Sequence, residues 1–125
     1  MATRVLIVED DRHIIESLSF VLEREGYEVA AVFDGEAAIE RLAAAPPDLL
    51  ILDLMLPKVT GFEVLKRIKA DPGLKELPVI VLTAKGQQQD RRMAEEIGVE
   101  GFMTKPFSNR AILDAVRRVA AGLAR

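Results

Sequence analysis

The alternation of two apolar patterns along the chain is the feature that most constrains its fold. Five short apolar runs, typical of β-strands, are separated by segments whose apolar residues recur at helical spacing. The runs span residues 5–8, 27–33, 49–52, 78–82 and 101–104. Strands joined through helices run parallel with right-handed crossovers, and run 49–52 lacks polar residues, as in a strand buried on both faces. The sequence therefore predicts an α/β fold, (βα)₅, with a doubly wound parallel sheet of five strands.

The helical segments have recognisable ends and no linker between them. The first stops at Gly26 and the second ends at Pro46, because glycine and proline terminate helices. The third and fourth are predicted at 61–70 and 88–97, and the fourth is the most polar. The last carries one apolar stripe, made up of Ile112, Leu113, Val116, Val119 and Ala120. A length of 125 residues suits one domain, so residues 1–125 are predicted to form a single domain.

The composition excludes several classes of site. The chain has no cysteine, which excludes thiolate metal sites and disulfides, and its single histidine, His13, excludes a histidine cluster. A net charge of −3, from 17 basic and 20 acidic residues, gives no indication of a nucleic-acid surface. No apolar run approaches membrane-spanning length, and acidic residues 9–11 come too early for a signal peptide. We therefore expect a cytoplasmic domain with no nucleic-acid or membrane partner.

Polar residues that could form a site follow the first, third, fourth and fifth predicted strands. Three acidic residues, 9–11, follow the first strand, Asp53 follows the third, Thr83 the fourth and Lys105 the fifth. Taken singly, an acidic residue could cap a helix, Asp53 could lie in a turn, Thr83 could be an ordinary strand residue and Lys105 a solvated side chain. Ligands of parallel sheets bind beyond the carboxyl ends of the strands, where all these residues would meet. Their coincidence at one edge predicts a functional site.

The charges at this edge indicate a cation and a chemistry. Two carboxylates about 4 Å apart repel by about 4 kcal/mol at an effective dielectric constant near 20, so several together need a positive partner. Oxygen ligands favour Mg²⁺, which keeps some of its waters and leaves room for phosphate oxygens. Beside Mg²⁺ and Lys105, the Asp53 carboxylate could attack a phosphoryl group and form an aspartyl phosphate. The Thr83 hydroxyl would donate a hydrogen bond to one phosphoryl oxygen.

Four separated blocks of the sequence resemble the receiver (CheY-like) family of two-component response regulators. The blocks are residues 5–11, residues 53–57 with 61–63, residues 82–84 and residues 104–107, in the family's order and spacing. The resemblance implies strand order 2-1-3-4-5, the flavodoxin-like topology, and Asp53 as the phosphoacceptor. It also implies that Asp10 and Asp11 form an acidic pair. Mg²⁺ would be held by Asp10, by Asp11 through water, by Asp53 and by the backbone carbonyl of Met55.

The resemblance further implies how the signal would leave the site. A cis peptide bond between Lys105 and Pro106 would direct the lysine into the site. Thr83 would move toward the phosphoryl group while Phe102 turns inward, which would remodel the face formed by helix four, strand five and helix five. Phe102 could equally be a plain core residue.

The implied partners are a kinase and an output. A sensor histidine kinase or phosphotransfer protein would donate the phosphoryl group, and the output would be a downstream protein or a fused domain absent from this chain. A phosphorylation-dependent homodimer is a further expectation. Such a domain would phosphorylate and dephosphorylate itself as a switch, without turning over external substrates. Met55 and Lys85 lie where access of water to the phosphate could be tuned.

The chain departs from the family pattern at several positions. Lys58 and Thr60 replace the glycine and aspartate of many members, and Phe102 lacks the hydroxyl of the commoner tyrosine. Uncharged residues occupy positions where the winged-helix transcription-factor subfamily places charges for its dimer interface, which makes that subfamily less favoured. These positions are Gly101, Ala111 and Ala115.

Three other functions compete with this interpretation. A haloacid-dehalogenase-type phosphatase also uses a strand-end aspartate and Mg²⁺, but it requires a second aspartate where this chain has Met55. A flavodoxin-like nucleotide or flavin binder would need a phosphate-binding loop after the first strand, and that loop is acidic here. A pseudo-receiver serving only as an interaction module would not need the full set of acidic residues, Thr83 and Lys105.

Overall fold

The expected alternation of strands and helices is present in the computed structural model, which describes residues 2–84 and 88–123. The strands are β1 (Arg4–Val8), β2 (Glu28–Val32), β3 (Leu49–Asp53), β4 (Val79–Ala84) and β5 (Gly101–Lys105). The helices are α1 (Arg12–Arg24), α2 (Gly35–Ala44), α3 (Gly61–Ala70), α4 (Gln88–Ile97) and α5 (Asn109–Leu123). No helix within the described residues is long and apolar enough to cross a membrane.

The five strands form one parallel sheet in the order β2-β1-β3-β4-β5, which confirms the predicted fold and strand order. All five residues of the central strand β3 are buried, as its unbroken apolar run predicts. The strands extend further than their apolar runs indicate. Each of the three strands includes, at or next to its last residue, a polar residue that was predicted to follow it. These residues are Asp53 in β3, Thr83 in β4 and Lys105 in β5.

Helices cover the sheet on both sides, and the strand side chains alternate between the two layers. On the α1/α5 side, buried residues of these two helices pack against one half of the strand side chains, including Val5, Ile7, Leu49, Ile51, Ile80 and Leu82. On the α2–α4 side, the other three helices pack against the alternate residues, including Leu6, Val8, Leu50, Leu52, Val79 and Val81. Each strand therefore directs consecutive residues into different layers.

Four helices begin at side chains that accept a hydrogen bond from the first turn, and on α5 the acceptor is Ser108 Oγ, 3.0 Å from the Ala111 amide. Asp11 Oδ1 accepts from the His13 amide at 2.9 Å, Asp34 Oδ1 accepts from the Ala37 amide at 2.7 Å, and Thr60 Oγ1 accepts from the Glu63 amide at 3.3 Å. Such caps stabilise a helix by about 1 kcal/mol. Thr60 therefore keeps the capping role that an aspartate could fill at this position.

Packing explains the small residues near the end of the chain. Ala115 is buried in the core on the α1/α5 side, so the inward stripe of α5 includes a residue that the sequence analysis placed at an interface. A β-carbon added to Gly101 would lie 3.5 Å from Cγ1 of Ile80. Two of the three uncharged positions are therefore interior in this structure.

Replacing Lys58 by glycine is expected to stabilise the fold. Lys58 has φ of 65°, the left-handed region, which costs an L residue about 1–2 kcal/mol but suits glycine. After the added entropy of glycine in the unfolded chain, Lys58→Gly should raise the free energy of unfolding by about 0.5–1 kcal/mol, measured by urea denaturation. Lys58→Ala removes the same side chain and keeps the strain. An equal gain in the alanine variant would contradict the explanation.

Candidate functional site

One ammonium group bridges two buried carboxylates at the carboxyl end of the sheet. Lys105 Nζ lies 3.0 Å from Asp53 Oδ2 and 2.8 Å from Glu9 Oε1. Glu9, the residue directly after β1, is 0% exposed, and Asp53 is 2% exposed. The predicted convergence of Asp53 and Lys105 is therefore present, and Glu9 joins them.

The remaining oxygens of the two carboxylates are held by the backbone. Asp53 Oδ1 accepts a hydrogen bond from the Met55 amide at 2.9 Å, and Glu9 Oε2 accepts one from the Asp11 amide at 3.0 Å. The chain also passes close behind Asp53, because a β-carbon on Gly61 would lie 2.3 Å from the Asp53 carbonyl oxygen. Only glycine fits there, so the start of α3 packs directly against the backbone at the end of β3.

Burial and charge shift two of these groups. Burial raises the pKa of Glu9 to about 7, and the neighbouring Asp53 carboxylate also raises it, against the lowering effect of Lys105 and the Asp11 amide. Burial by itself would lower the pKa of Lys105. The hydrogen bonds and charges of Glu9 and Asp53 outweigh that effect, so the pKa of Lys105 is raised. Lys105 therefore remains charged when Glu9 titrates.

Asp10 completes a group of three acidic residues with the spacing of a cation site. One carboxylate oxygen from each of Glu9, Asp10 and Asp53 lies within 4.8 Å of the others, and Asp10 is exposed. Octahedral Mg²⁺ places opposite ligand atoms about 4 Å apart, so small side-chain adjustments would bring these oxygens onto one ion. With all three ionised, Lys105 leaves two negative charges uncompensated. The donor set therefore fits a divalent cation.

Asp11 is not brought into this group. Its Oδ1 caps α1, so the acidic pair that the structure places beside Asp53 is Glu9 and Asp10 rather than Asp10 and Asp11. The alternation of strand side chains could have indicated this. Glu9 continues the series Val5 and Ile7, which faces the same side as Asp53.

Thr83 and Phe102 lie on the other side of the sheet. Thr83 is buried and follows Leu82, the partner of Asp53 in the β3–β4 ladder. Phe102 is half-buried against the core on the α2–α4 side. The Lys105–Pro106 bond is cis, as the resemblance implies. Met55 is 54% exposed beside the site, and Lys85 lies outside the described residues.

Comparison with known proteins decides the family. Residues 5–117 match the family model of the response regulator receiver domain. This chain belongs to the receiver domain family. Two curated relatives are the alkaline phosphatase synthesis transcriptional regulatory protein PhoP of Bacillus subtilis (strain 168) and the phosphate regulon transcriptional regulatory protein PhoB of Escherichia coli (strain K12). They are 38% and 37% identical over 119 residues, which make up 95% of this chain and 49% and 52% of theirs.

Solved structures agree with this assignment. The signal receiver domain of a signal transduction histidine kinase from Syntrophus aciditrophicus is 34% identical with a TM-score of 0.91, covering 99% of this chain and 94% of that one. The chemotaxis response regulator CheY4 of Vibrio cholerae is 30% identical with a TM-score of 0.88, covering 95% and 99%. This chain spans about half the length of the two curated relatives.

The family assignment favours one of the competing interpretations. This chain is a receiver domain of the two-component response regulators, a class of signalling switches, and the matches give no support to a phosphatase or a pseudo-receiver. Both curated relatives named above are transcriptional regulatory proteins.

Proposed function

We propose that this receiver domain accepts a phosphoryl group on Asp53 from a phosphohistidine of a sensor histidine kinase or phosphotransfer protein. The observation that carries the proposal is the contact of Lys105 Nζ with Asp53 Oδ2 at the buried carboxyl edge of β3. A bond would form between an Asp53 oxygen and phosphorus while the phosphorus–nitrogen bond of the donor breaks. The electron pair would stay on the imidazole nitrogen.

The surrounding groups have separate roles in this reaction. Lys105 and the Met55 amide fix the orientation of the Asp53 carboxylate by contacting one oxygen each. Lys105 would also neutralise charge on the transferred group, and the Thr83 hydroxyl would donate a hydrogen bond to one of its oxygens. Each transfer modifies the domain itself, so the function is that of a switch rather than of a turnover enzyme.

We propose Mg²⁺ as the cofactor. Asp10, Asp53 and the Met55 carbonyl would hold it together with Glu9, while Asp11, which caps α1, would act only through water. When bound, the ion would supply positive charge to the phosphoryl oxygens. The support for this cofactor is the excess of carboxylates over ammonium groups at the site.

Thr83 and Phe102 would carry the signal from the phosphorylated site to the output surface. We propose that residues 1–125 form one cytoplasmic receiver domain whose α4, β5 and α5 face controls a downstream protein or a fused output domain. A homodimer that forms on phosphorylation fits the same face, and direct contact with nucleic acid or membrane is not part of the proposal. The support is the half-buried position of Phe102 next to α4.

Asp53→Asn is expected to abolish phosphorylation. Incubation with a small acyl phosphate and Mg²⁺ should add one alkali-labile phosphoryl group to the wild-type chain, detected by intact-protein mass spectrometry. The variant should gain none, because an amide lacks the anionic nucleophile. Asp114→Asn, at an exposed position on α5, should behave like wild type. Continued phosphorylation of Asp53→Asn, or turnover of phosphate esters by the wild type, would refute the proposal.

A further inference from the structure

The ring of Phe102 is in contact with a charged side chain from α4. The guanidinium carbon of Arg91 lies 4.9 Å from the centroid of the Phe102 ring, which is within the range of a cation–π interaction. The Phe102 side chain is also partly buried against the core on the α2–α4 side. Phe102 is therefore held between an apolar core and an exposed cation.

The orientation of Arg91 is itself supported from within α4. Its Nε donates a hydrogen bond to Glu95 Oε1 at 3.3 Å, an ion pair between residues one turn apart. The helix is otherwise weakly anchored, since Ala94 is the residue of α4 that is buried. The Arg91–Phe102 contact thus joins the exposed face of α4 to β5.

We propose that Arg91 is a positioning residue that latches Phe102 in its half-buried orientation and opposes the inward rotation needed for switching. The inference rests on the proposed function, because it assigns a residue that tunes the switch. Inward rotation would carry the ring away from the guanidinium and lose the cation–π attraction. An exposed interaction of this kind corresponds to an equilibrium constant about two to five times larger.

The latch has a consequence for the chemistry at Asp53. If the inward orientation of Phe102 favours the phosphorylated domain, then phosphorylation favours the inward orientation by the same factor, because the two equilibria are linked. Loosening the latch should therefore increase the inward population before phosphorylation. It should also increase the extent of phosphorylation at limiting donor by about two- to fivefold.

The test compares Arg91→Gln, Arg91→Lys and the control Arg92→Gln. Arg92 is exposed and lies next to Arg91 on the same helix. Arg92→Gln removes one positive charge from α4, as Arg91→Gln does, and therefore serves as its control. Fluorine NMR of fluorophenylalanine-labelled protein reports the orientation of each of the five phenylalanines, and Phe102→Leu assigns the Phe102 signal. Urea denaturation of each variant checks that it remains folded.

The glutamine variant should shift the Phe102 signal toward the inward state, the lysine variant should restore part of the wild-type position, and Arg92→Gln should have no effect. An unchanged Phe102 signal in Arg91→Gln, or an equal shift in Arg92→Gln, would overturn the latch. The spectra are recorded without phosphodonor, so they remain informative if no variant becomes phosphorylated. In that case the proposed function fails while the latch is judged by Phe102 alone.

Discussion

Lys105→Met is expected to destabilise the metal-free domain by about 3 kcal/mol at about pH 9. Removing one partner of a buried ion pair leaves an uncompensated charge and costs about 3–5 kcal/mol. Here two carboxylates, Glu9 and Asp53, would lose their shared cation. The lower end of the range applies, because the Lys105 side chain is 25% exposed and partly solvated.

The pH dependence of this loss distinguishes it from lost packing. At about pH 5 the Glu9 carboxyl is protonated, so less negative charge remains uncompensated and the loss should be smaller. Lys66→Met, at an exposed position on α3, should change the free energy of unfolding by less than about 0.5 kcal/mol. Adding Glu9→Gln to Lys105→Met should recover much of the stability. A loss that is the same at both pH values would contradict the electrostatic explanation.

The second large effect is a loss of stability as the pH rises through neutrality. The pKa of Glu9 is raised from 4.5 to about 7 in the folded domain, so the folded state binds its proton more tightly than the unfolded chain does. The resulting stability is fully present below about pH 4.5 and is lost as the pH rises through about 7. A shift of this size corresponds to a loss on the order of 3 kcal/mol.

Glu9→Gln should remove this dependence. Urea denaturation of the metal-free protein between about pH 5 and about pH 9 should give a smaller slope for Glu9→Gln than for wild type. Glu16→Gln, at an exposed position on α1, should keep the wild-type slope. The titration of Lys105 adds no pH dependence in this window, because its pKa is raised from 10.5 and its stabilisation is lost only at higher pH. Equal slopes in Glu9→Gln and wild type would contradict the assignment.

The fold could be predicted because its signals are local. An apolar run without polar residues requires burial on both faces, and helices between such runs leave few topologies. The ends of the strands were harder to predict. Asp53 and Lys105 are polar, which indicates the end of an apolar run, but backbone pairing with neighbouring strands continues to include them. Ala115 was missed because alanine does not mark either face of a helix.

The acidic pair shows why a site is harder to predict than a sheet. Three consecutive acidic residues leave the sequence ambiguous, and the choice depends on where the strand ends and which residue the helix takes as its cap. The structure uses Asp11 as the cap and buries Glu9 beside Lys105. The contact of Arg91 with Phe102 could not be predicted for a similar reason, because the polar sequence of α4 does not define which face of the helix meets the sheet.

The pleat of the sheet has a consequence for how such domains can diverge. Asp53 and Lys105 continue the series of strand residues that face the α1/α5 side, whereas Thr83 and Phe102 continue the series that faces the α2–α4 side. The side chain of the proposed phosphoacceptor thus enters one core layer, and the side chains of the proposed switch residues enter the other. Under the proposed function, substitutions in the core layer that Asp53 and Lys105 enter would alter the phosphorylation site, and substitutions in the layer that Thr83 and Phe102 enter would alter the switch residues. The proposed phosphorylation site and the proposed switch residues could therefore diverge independently.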